Sequence, residues 1–224
     1  MVRSLRPAIV GRRILNAEFG QLRVLIGSPH KTAEALAGRR IKSIERHGKF
    51  IAIRLDRGYL VVHLGMTGKL LVNAGPTKWT HAVFALDRGT MIYDDPRQFG
   101  RIEYSLDLPE RVAALGPEPL EVSLEDFAGR LKERRSSIKA VLLNQAVVRG
   151  VGNIYADEAL FRAGIHPQAW AARLRADRAR KLHAAIQEVL SQAIEAGGSS
   201  ISDYVDAEGR KGFFQFQHRV YGRT

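Results

Sequence analysis

The stretch Arg149-Gly-Val-Gly-Asn-Ile-Tyr-Ala-Asp-Glu-Ala-Leu-Phe-Arg-Ala-Gly-Ile-His-Pro167 joins a turn built on two glycines to a helix that begins at once. Gly150 and Gly152 can take positive φ and bring no side chain that would hold a ligand off the backbone. Asn153 is placed as the N-cap. A helix starting there presents unpaired N–H groups and the positive end of its dipole, which suits a phosphate. Asp157 and Glu158 in the first turns complement that dipole, Gly164 ends the helix, and Pro167 keeps it from resuming. Ser137–Asn144 reads as a helix before the turn and a long helix follows Pro167, giving a helix–two-turns–helix order. Taken alone, the same wording also fits an ordinary capped turn between two helices.

Composition narrows the choice. The chain has 224 residues, 45% hydrophobic content and no cysteine, so it can bury a sizeable core but can form neither a disulfide nor a cysteine-bound metal site. No apolar run reaches the length of a signal peptide or a membrane span, which makes a cytoplasmic protein, nucleoid-associated if it binds DNA, the expectation. Lys and Arg number 35 against 23 acidic residues, a formal charge of +12. That balance points to a polyanionic partner. The basic residues are spread over strands, turns and helix ends rather than gathered in one amphipathic helix or tail, so a duplex-sized groove is favoured over a membrane surface.

Between Ile14 and Tyr104 the apolar residues run in short segments broken by Gly, Asp-Arg-Gly and Pro, the pattern of an antiparallel sandwich. The predicted strands are Ile41–Ile44, Phe50–Leu55, Tyr59–Leu64, Lys69–Val72, Ala82–Leu86 and Thr90–Tyr93, with hairpin turns at Arg57-Gly58 and Asp87-Arg88-Gly89. Arg3–Gly11 reads as the end of a helix and Lys31–Ala37 as a short one. The proline-rich stretch from Leu108 marks a linker at 108–122, which divides an N-terminal β-sandwich domain (1–107) from a C-terminal helical domain (123–224), an α+β chain overall. Ser123 with Asp126 opens a helix to about Glu133. Leu182, Ala185, Ile186, Val189, Leu190 and Ala193 form one apolar stripe on a helix that stops at Gly197-Gly198. Residues 198–212 read as a polar, mobile loop.

Several residues stand out against these elements. Lys49 opens an otherwise apolar strand, where it is either a solvated strand end or a placed cation. In Leu64-Gly-Met66-Thr-Gly-Lys69 a methionine stands between glycines at a turn, with little local packing to gain. Asp95-Pro-Arg97-Gln98-Phe99-Gly100 offers a guanidinium and an aromatic ring on a proline-initiated turn. An enzyme acting on a base inside a duplex must take it out of the stack, and apolar wedges with a guanidinium can fill the gap left behind. Met66 and Phe99 could equally cap the sandwich core. Arg134-Arg135-Ser-Ser-Ile-Lys139 places positive charge at a helix start, where the dipole disfavours it and an external anion would relieve it.

The wording Gly-Val-Gly-Asn-Ile-Tyr-Ala-Asp-Glu, together with His63-Leu-Gly-Met-Thr-Gly68 and Asp95-Pro-Arg-Gln-Phe-Gly100, closely resembles the formamidopyrimidine-DNA glycosylase and endonuclease VIII family of bacterial DNA repair enzymes, nearer to the former. The resemblance runs from Arg3 to Arg223. It implies duplex DNA bound across the cleft between the two domains, removal of an oxidised purine through a Schiff base to the deoxyribose C1′, and strand cutting by elimination. It further implies that Lys49 contacts the phosphate beside the damaged nucleotide and assists cleavage, that Met66, Arg97 and Phe99 fill the void in the duplex, and that His81, Arg135, Lys139 and Asn153 contact DNA. Gln98 stands where many relatives have a second arginine; it can hydrogen-bond a base edge without adding charge. The loop 197–212 corresponds to the segment that closes over an extruded base. In the family a Pro-Glu-Leu-Pro-Glu opening, with the nucleophilic amine and a proton-shuttling carboxylate, precedes the Arg-Ser-Leu segment, and a zinc hairpin with four cysteines follows Val-Tyr-Gly-Arg. The sequence is therefore expected to be incomplete at both ends, by about two turns of helix at the start, and to carry no zinc or other cofactor. Its partner is damaged double-stranded DNA, with no membrane and a monomeric state. A non-catalytic damaged-DNA-binding protein is the alternative, and an RNA-binding protein is disfavoured because wedges have no use on preformed single strands.

Overall fold

The computed structural model describes residues 1–20, 23–200 and 205–222. The chain forms two compact units, Met1–Ala113 with Ser200–Gly212, and Ala114–Ser199 with Phe213–Thr224. The division falls inside the proline-rich stretch, but residues 200–212, which in sequence follow the long helix of the second unit, belong to the first.

The first unit opens with helix α1 (Val2–Ile9), then β1 (Ile14–Phe19), β2 (Leu25–Ile26), α2 (Pro29–Leu36), β3 (Ile41–His47), β4 (Phe50–Leu55), β5 (Tyr59–His63), β6 (Lys69–Val72), β7 (Thr80–Leu86), β8 (Thr90–Asp94), β9 (Arg101–Ser105) and α3 (Glu110–Ala113). The strands make one sheet in the order β1-β7-β8-β6 and another in the order β2-β9-β5-β4-β3. Buried side chains of both sheets, Ile53, Leu60, Val62, Phe84, Met91 and Tyr93 among them, meet Leu5 and Ile9 of α1 in one core. Each fully buried side chain of this kind is worth roughly 1.5–3 kcal/mol. The six strands read from alternation all form. Three more, β1, β2 and β9, lack that signal: β1 buries only Ile14 and Ala17, and β9 buries only Ile102. Their partners place them, since β9 is hydrogen-bonded between β2 and β5. The β2–β9 pair is parallel, a departure from the all-antiparallel sandwich expected.

Register decides what lies at one end of this sandwich. Lys69 of β6 and Thr80 of β7 both pair with Asp94 of β8, while Phe50 pairs with His63 and His63 with Arg101. The turns at residues 48–49, 64–68, 77–79 and 95–100 therefore share one rim.

Residues 198–212 read as mobile in sequence; those at 201–204 lie outside the described residues, and the part that follows is anchored. Ala207 is fully buried, its N–H donates to Ser4 Oγ at 3.0 Å, and its carbonyl accepts from the Val72 N–H at 3.0 Å.

The second unit contains α4 (Leu124–Lys132), α5 (Ile138–Leu143), α6 (Asn153–Ala163) and α7 (Ala176–Glu195). Ser123 Oγ accepts the Asp126 N–H at 3.1 Å, the cap that the sequence predicts. On α7, Leu182, Ala185, Ile186, Val189 and Ala193 are buried, and α7 ends at Gly197 and Gly198, with φ of 73° and 98°. No helix among the described residues is long and apolar enough to cross a membrane.

Candidate nucleic-acid interface

At the rim of the first unit three side chains meet. Met66 is 66% exposed and Phe99 is 53% exposed. Between them Arg97 sets its guanidinium 4.7 Å over the Phe99 ring and its Nη1 3.5 Å from Met66 Sδ. Neither apolar side chain caps the core. A cation–π contact of this sort contributes ~0.5–1 kcal/mol when exposed, enough to align the three but not to build the loops beneath them.

The loops are built by Asp95, which is fully buried. Its carboxylate accepts from Thr67 Oγ1, from the Gly100 N–H at 2.8 Å and from the Tyr93 hydroxyl at 3.2 Å. Its backbone N–H donates to the Trp79 carbonyl at 3.0 Å and its carbonyl accepts from the Gln98 N–H at 3.2 Å. Thr67 Oγ1 in turn accepts the Arg97 N–H at 3.3 Å. One carboxylate thus ties the Met66 turn to the Arg97 turn. Burial first, then the Asp95 charge and hydrogen bond, push the Tyr93 hydroxyl's pKa up, so it stays a protonated donor. Glycine is required where these loops pass: a Cβ at Gly100 would overlap the Tyr93 hydroxyl and come within 2.8 Å of the His63 carbonyl, and one at Gly68 would overlap the Leu64 carbonyl.

Lys49 lies in the β3–β4 turn on the same rim, one residue ahead of the strand it was expected to open. It forms no ion pair among the described residues, and burial of its ammonium lowers its pKa from the ordinary lysine value although the residue as a whole is exposed. Beside it His63 is held below the usual histidine value, by burial first and then by the charges of Lys49 and Arg101. Gln98 holds φ at 57°, a left-handed conformation rare outside glycine.

His81 is not a surface residue. It is 4% exposed, its Nε2 bonds the Asp95 carbonyl at 2.8 Å, and its Nδ1 is buried without a partner. The structure gives His81 a place in the Asp95 network rather than at the surface.

In the second unit the glycine turn is clamped by Gln145, whose Nε2 donates to the carbonyls of Leu143 and Val151 at 3.0 Å and whose Oε1 accepts the Gly150 N–H at 2.7 Å. Gly150 takes φ of 86°, but Gly152 does not use positive φ; it is extended and is itself the N-cap of α6. Asn153 is the first helical residue, not the cap, and its side chain is exposed. The first intrahelical bond runs from the Ala156 N–H to the Gly152 carbonyl at 2.9 Å, which leaves the first-turn N–H groups outside the ladder.

The acidic pair expected to complement the helix dipole serves otherwise. Asp157 binds Lys139 Nζ at 2.7 Å, so this predicted phosphate ligand is already charge-paired. Glu158 is fully buried and accepts the N–H groups of Arg219, Val220 and Tyr221 at 2.9–3.0 Å. Burial pushes its pKa up, but those three N–H groups and His218 outweigh it and leave the carboxyl below its ordinary value. Arg135 is exposed ahead of α5. No group of three or more His, Asp or Glu side chains among the described residues is arranged to hold a metal ion.

Residues 1–102 match the formamidopyrimidine-DNA glycosylase N-terminal domain, and residues 115–205 match the formamidopyrimidine-DNA glycosylase H2TH domain. The chain belongs to the formamidopyrimidine-DNA glycosylase family. The formamidopyrimidine-DNA glycosylase of Solibacter usitatus (strain Ellin6076) is 65% identical over 226 residues, covering 100% of this chain and 85% of the relative. Among solved structures, MutM (Fpg) from Thermus thermophilus is 39% identical with a TM-score of 0.90, over 99% of this chain and 84% of that one. The Lactococcus lactis Fpg complex with DNA containing an abasic site is 35% identical with a TM-score of 0.91, over 100% of this chain and 86% of that one.

Sequence reasoning missed the residues that position this family's motifs here: Asp95, Thr67 and Tyr93 in the first unit, Gln145 and Glu158 in the second. The one available signal was an aspartate before proline flanked by a Thr-Gly and a Phe-Gly pair, which turn chemistry alone explains equally well.

Proposed function

We propose that this chain is a DNA glycosylase of base-excision repair that acts on oxidised purines in duplex DNA, extrudes the damaged nucleotide and then cuts the strand as an abasic-site lyase. It works as a monomer in the bacterial cytoplasm and without a cofactor. The observation that carries this reading is the rim of the first unit, where exposed Met66, Arg97 and Phe99 are gathered over a buried Asp95. A stacked apolar–cation–aromatic tip held on a rigid base is suited to replace an extruded base within a stack. Lys49, a cation without an acidic partner, takes the phosphate next to the damaged nucleotide and stabilises the charge that leaves with it on elimination. In the second unit the clamped turn before α6, with exposed Asn153 and Arg135, grips a strand through backbone N–H groups and charge. The Lactococcus lactis relative bound to abasic DNA supports a damaged duplex as the partner.

The test is equilibrium binding to duplexes with and without one abasic analogue. The wild type should prefer the abasic duplex, and Met66→Ala, Arg97→Ala and Phe99→Ala should each reduce that preference by about tenfold, since truncating a buried contact at a binding centre costs ~1–2 kcal/mol. Equal losses on both duplexes would assign these residues to general electrostatics and undo the wedge reading.

A further inference from the structure

Strand β2 runs parallel to β9, with Leu25 opposite Ile102 and the Ile102 N–H donating to the Val24 carbonyl at 2.8 Å. That register sets Arg23 level with Gly100, one residue before Arg101. Arg23, Arg97, Gln98, Phe99 and Arg101 line one cavity of about 360 Å³ at the rim. Its lining contains three guanidiniums and no carboxylate, and none of the three forms an ion pair among the described residues. Arg101 is fixed, because its Nη1 donates to the carbonyls of Gln98 at 3.0 Å and Gly100 at 2.6 Å. Its Nε and Nη2 donate to nothing among the described residues.

Three like charges around one small cavity repel one another until an anion enters. A base edge offers acceptors but leaves those charges uncompensated, whereas a phosphodiester supplies both charge and the paired oxygens that a guanidinium fork fits. We infer that this cavity holds a backbone phosphate of the bound duplex, with Arg101 and Arg23 as its ligands and the Gln98 amide as an added donor. The site restores beside Gln98 the positive charge that Gln98 itself does not bring. It rests on the proposed reading of the chain as a duplex-binding protein.

Salt titration of affinity for the abasic-analogue duplex tests this. One phosphate contact contributes ~0.9 to the slope of log affinity against log salt. Arg101→Ala and Arg23→Ala should each flatten the slope by about that amount, so that between 50 and 200 mM salt each loses three- to fourfold less affinity than the wild type does. The double variant should flatten it no further, since both arginines serve one phosphate, and Arg101→Lys should keep the wild-type slope. Arg23 is exposed and holds no other residue, so Arg23→Ala reads the site even if Arg101→Ala disturbs the turn. Unchanged slopes in Arg23→Ala and Arg101→Ala would overturn the inference, and unchanged slopes with losses that depend on the opposite base would show that the cavity reads a base. If the wild type has no affinity for duplex, the functional reading fails first and takes this site with it; wild-type affinity with unaltered slopes removes the site alone.

Discussion

Replacing Asp95 by alanine should unmake the rim. The carboxylate is fully buried and accepts three hydrogen bonds, from Thr67, Tyr93 and Gly100. Asp95→Ala leaves those three donors buried without partners, and each unsatisfied group costs ~1–3 kcal/mol. At the low end the first unit loses ~3 kcal/mol, a large share of the 5–15 kcal/mol that typically separates a folded domain from its unfolded chain. Asp95→Asn keeps the shape and one acceptor oxygen, so it should cost about half as much. The chain has two tryptophans, Trp79 in the first unit and Trp170 in the second. In a Trp170→Phe background, the fluorescence of Trp79, whose carbonyl receives the Asp95 N–H, follows urea unfolding of the first unit alone. Asp95→Asn should also lose abasic-site preference, because the Met66 and Arg97 turns are joined through this carboxylate. A stability loss below ~1 kcal/mol for Asp95→Ala, or an Asn variant with unaltered preference, would refute the role given to Asp95.

Glu158→Gln should free the segment at Arg219–Tyr221, seen as faster hydrogen exchange at the Val220 and Tyr221 amides. Because the folded pKa of Glu158 lies below its ordinary value, the same anchor should be fully present at neutral pH and fade as pH falls below about 4.5 through that lowered value. For His63 the direction is the same at a higher pH: its folded pKa is depressed, so protonation of the unfolded chain costs stability as pH falls below about 6.5, and Lys49→Met should move the NMR-measured pKa of His63 back up. Lys49→Ala should reduce strand cutting by about 10²-fold or more while changing duplex affinity far less, since its charge is asked to act on the departing phosphate; gel assays of cleavage and binding run side by side separate the two.

The two short motifs at the rim and the glycine turn were legible because few residue types satisfy a tight turn and leave a large apolar side chain outside. Met66, Arg97 and Phe99 came together as read. Asp95 was not legible: its partners are spread from Thr67 to Gly100, and an aspartate before proline is already explained as a turn former. Glu158 and Asp157 misled for a related reason, as an acidic pair near a helix start fits the dipole rule whether it faces solvent or is buried under backbone N–H groups. Asn153 lost the cap to Gly152 because extended backbone at the glycine supplies the cap geometry. Strands β1 and β9 escaped alternation because each buries one or two side chains and is placed by its neighbours' hydrogen bonds.

Release of a free base is what separates a glycosylase from a protein that only binds damage. The measurement is chromatographic detection of free modified purine from a duplex carrying one oxidised purine, incubated with the full-length product of the gene. Release of the free base, followed by a cut at the same position, is the predicted result. Damage-selective binding with the base still attached to its sugar would contradict it and leave a protein that recognises the lesion without removing it.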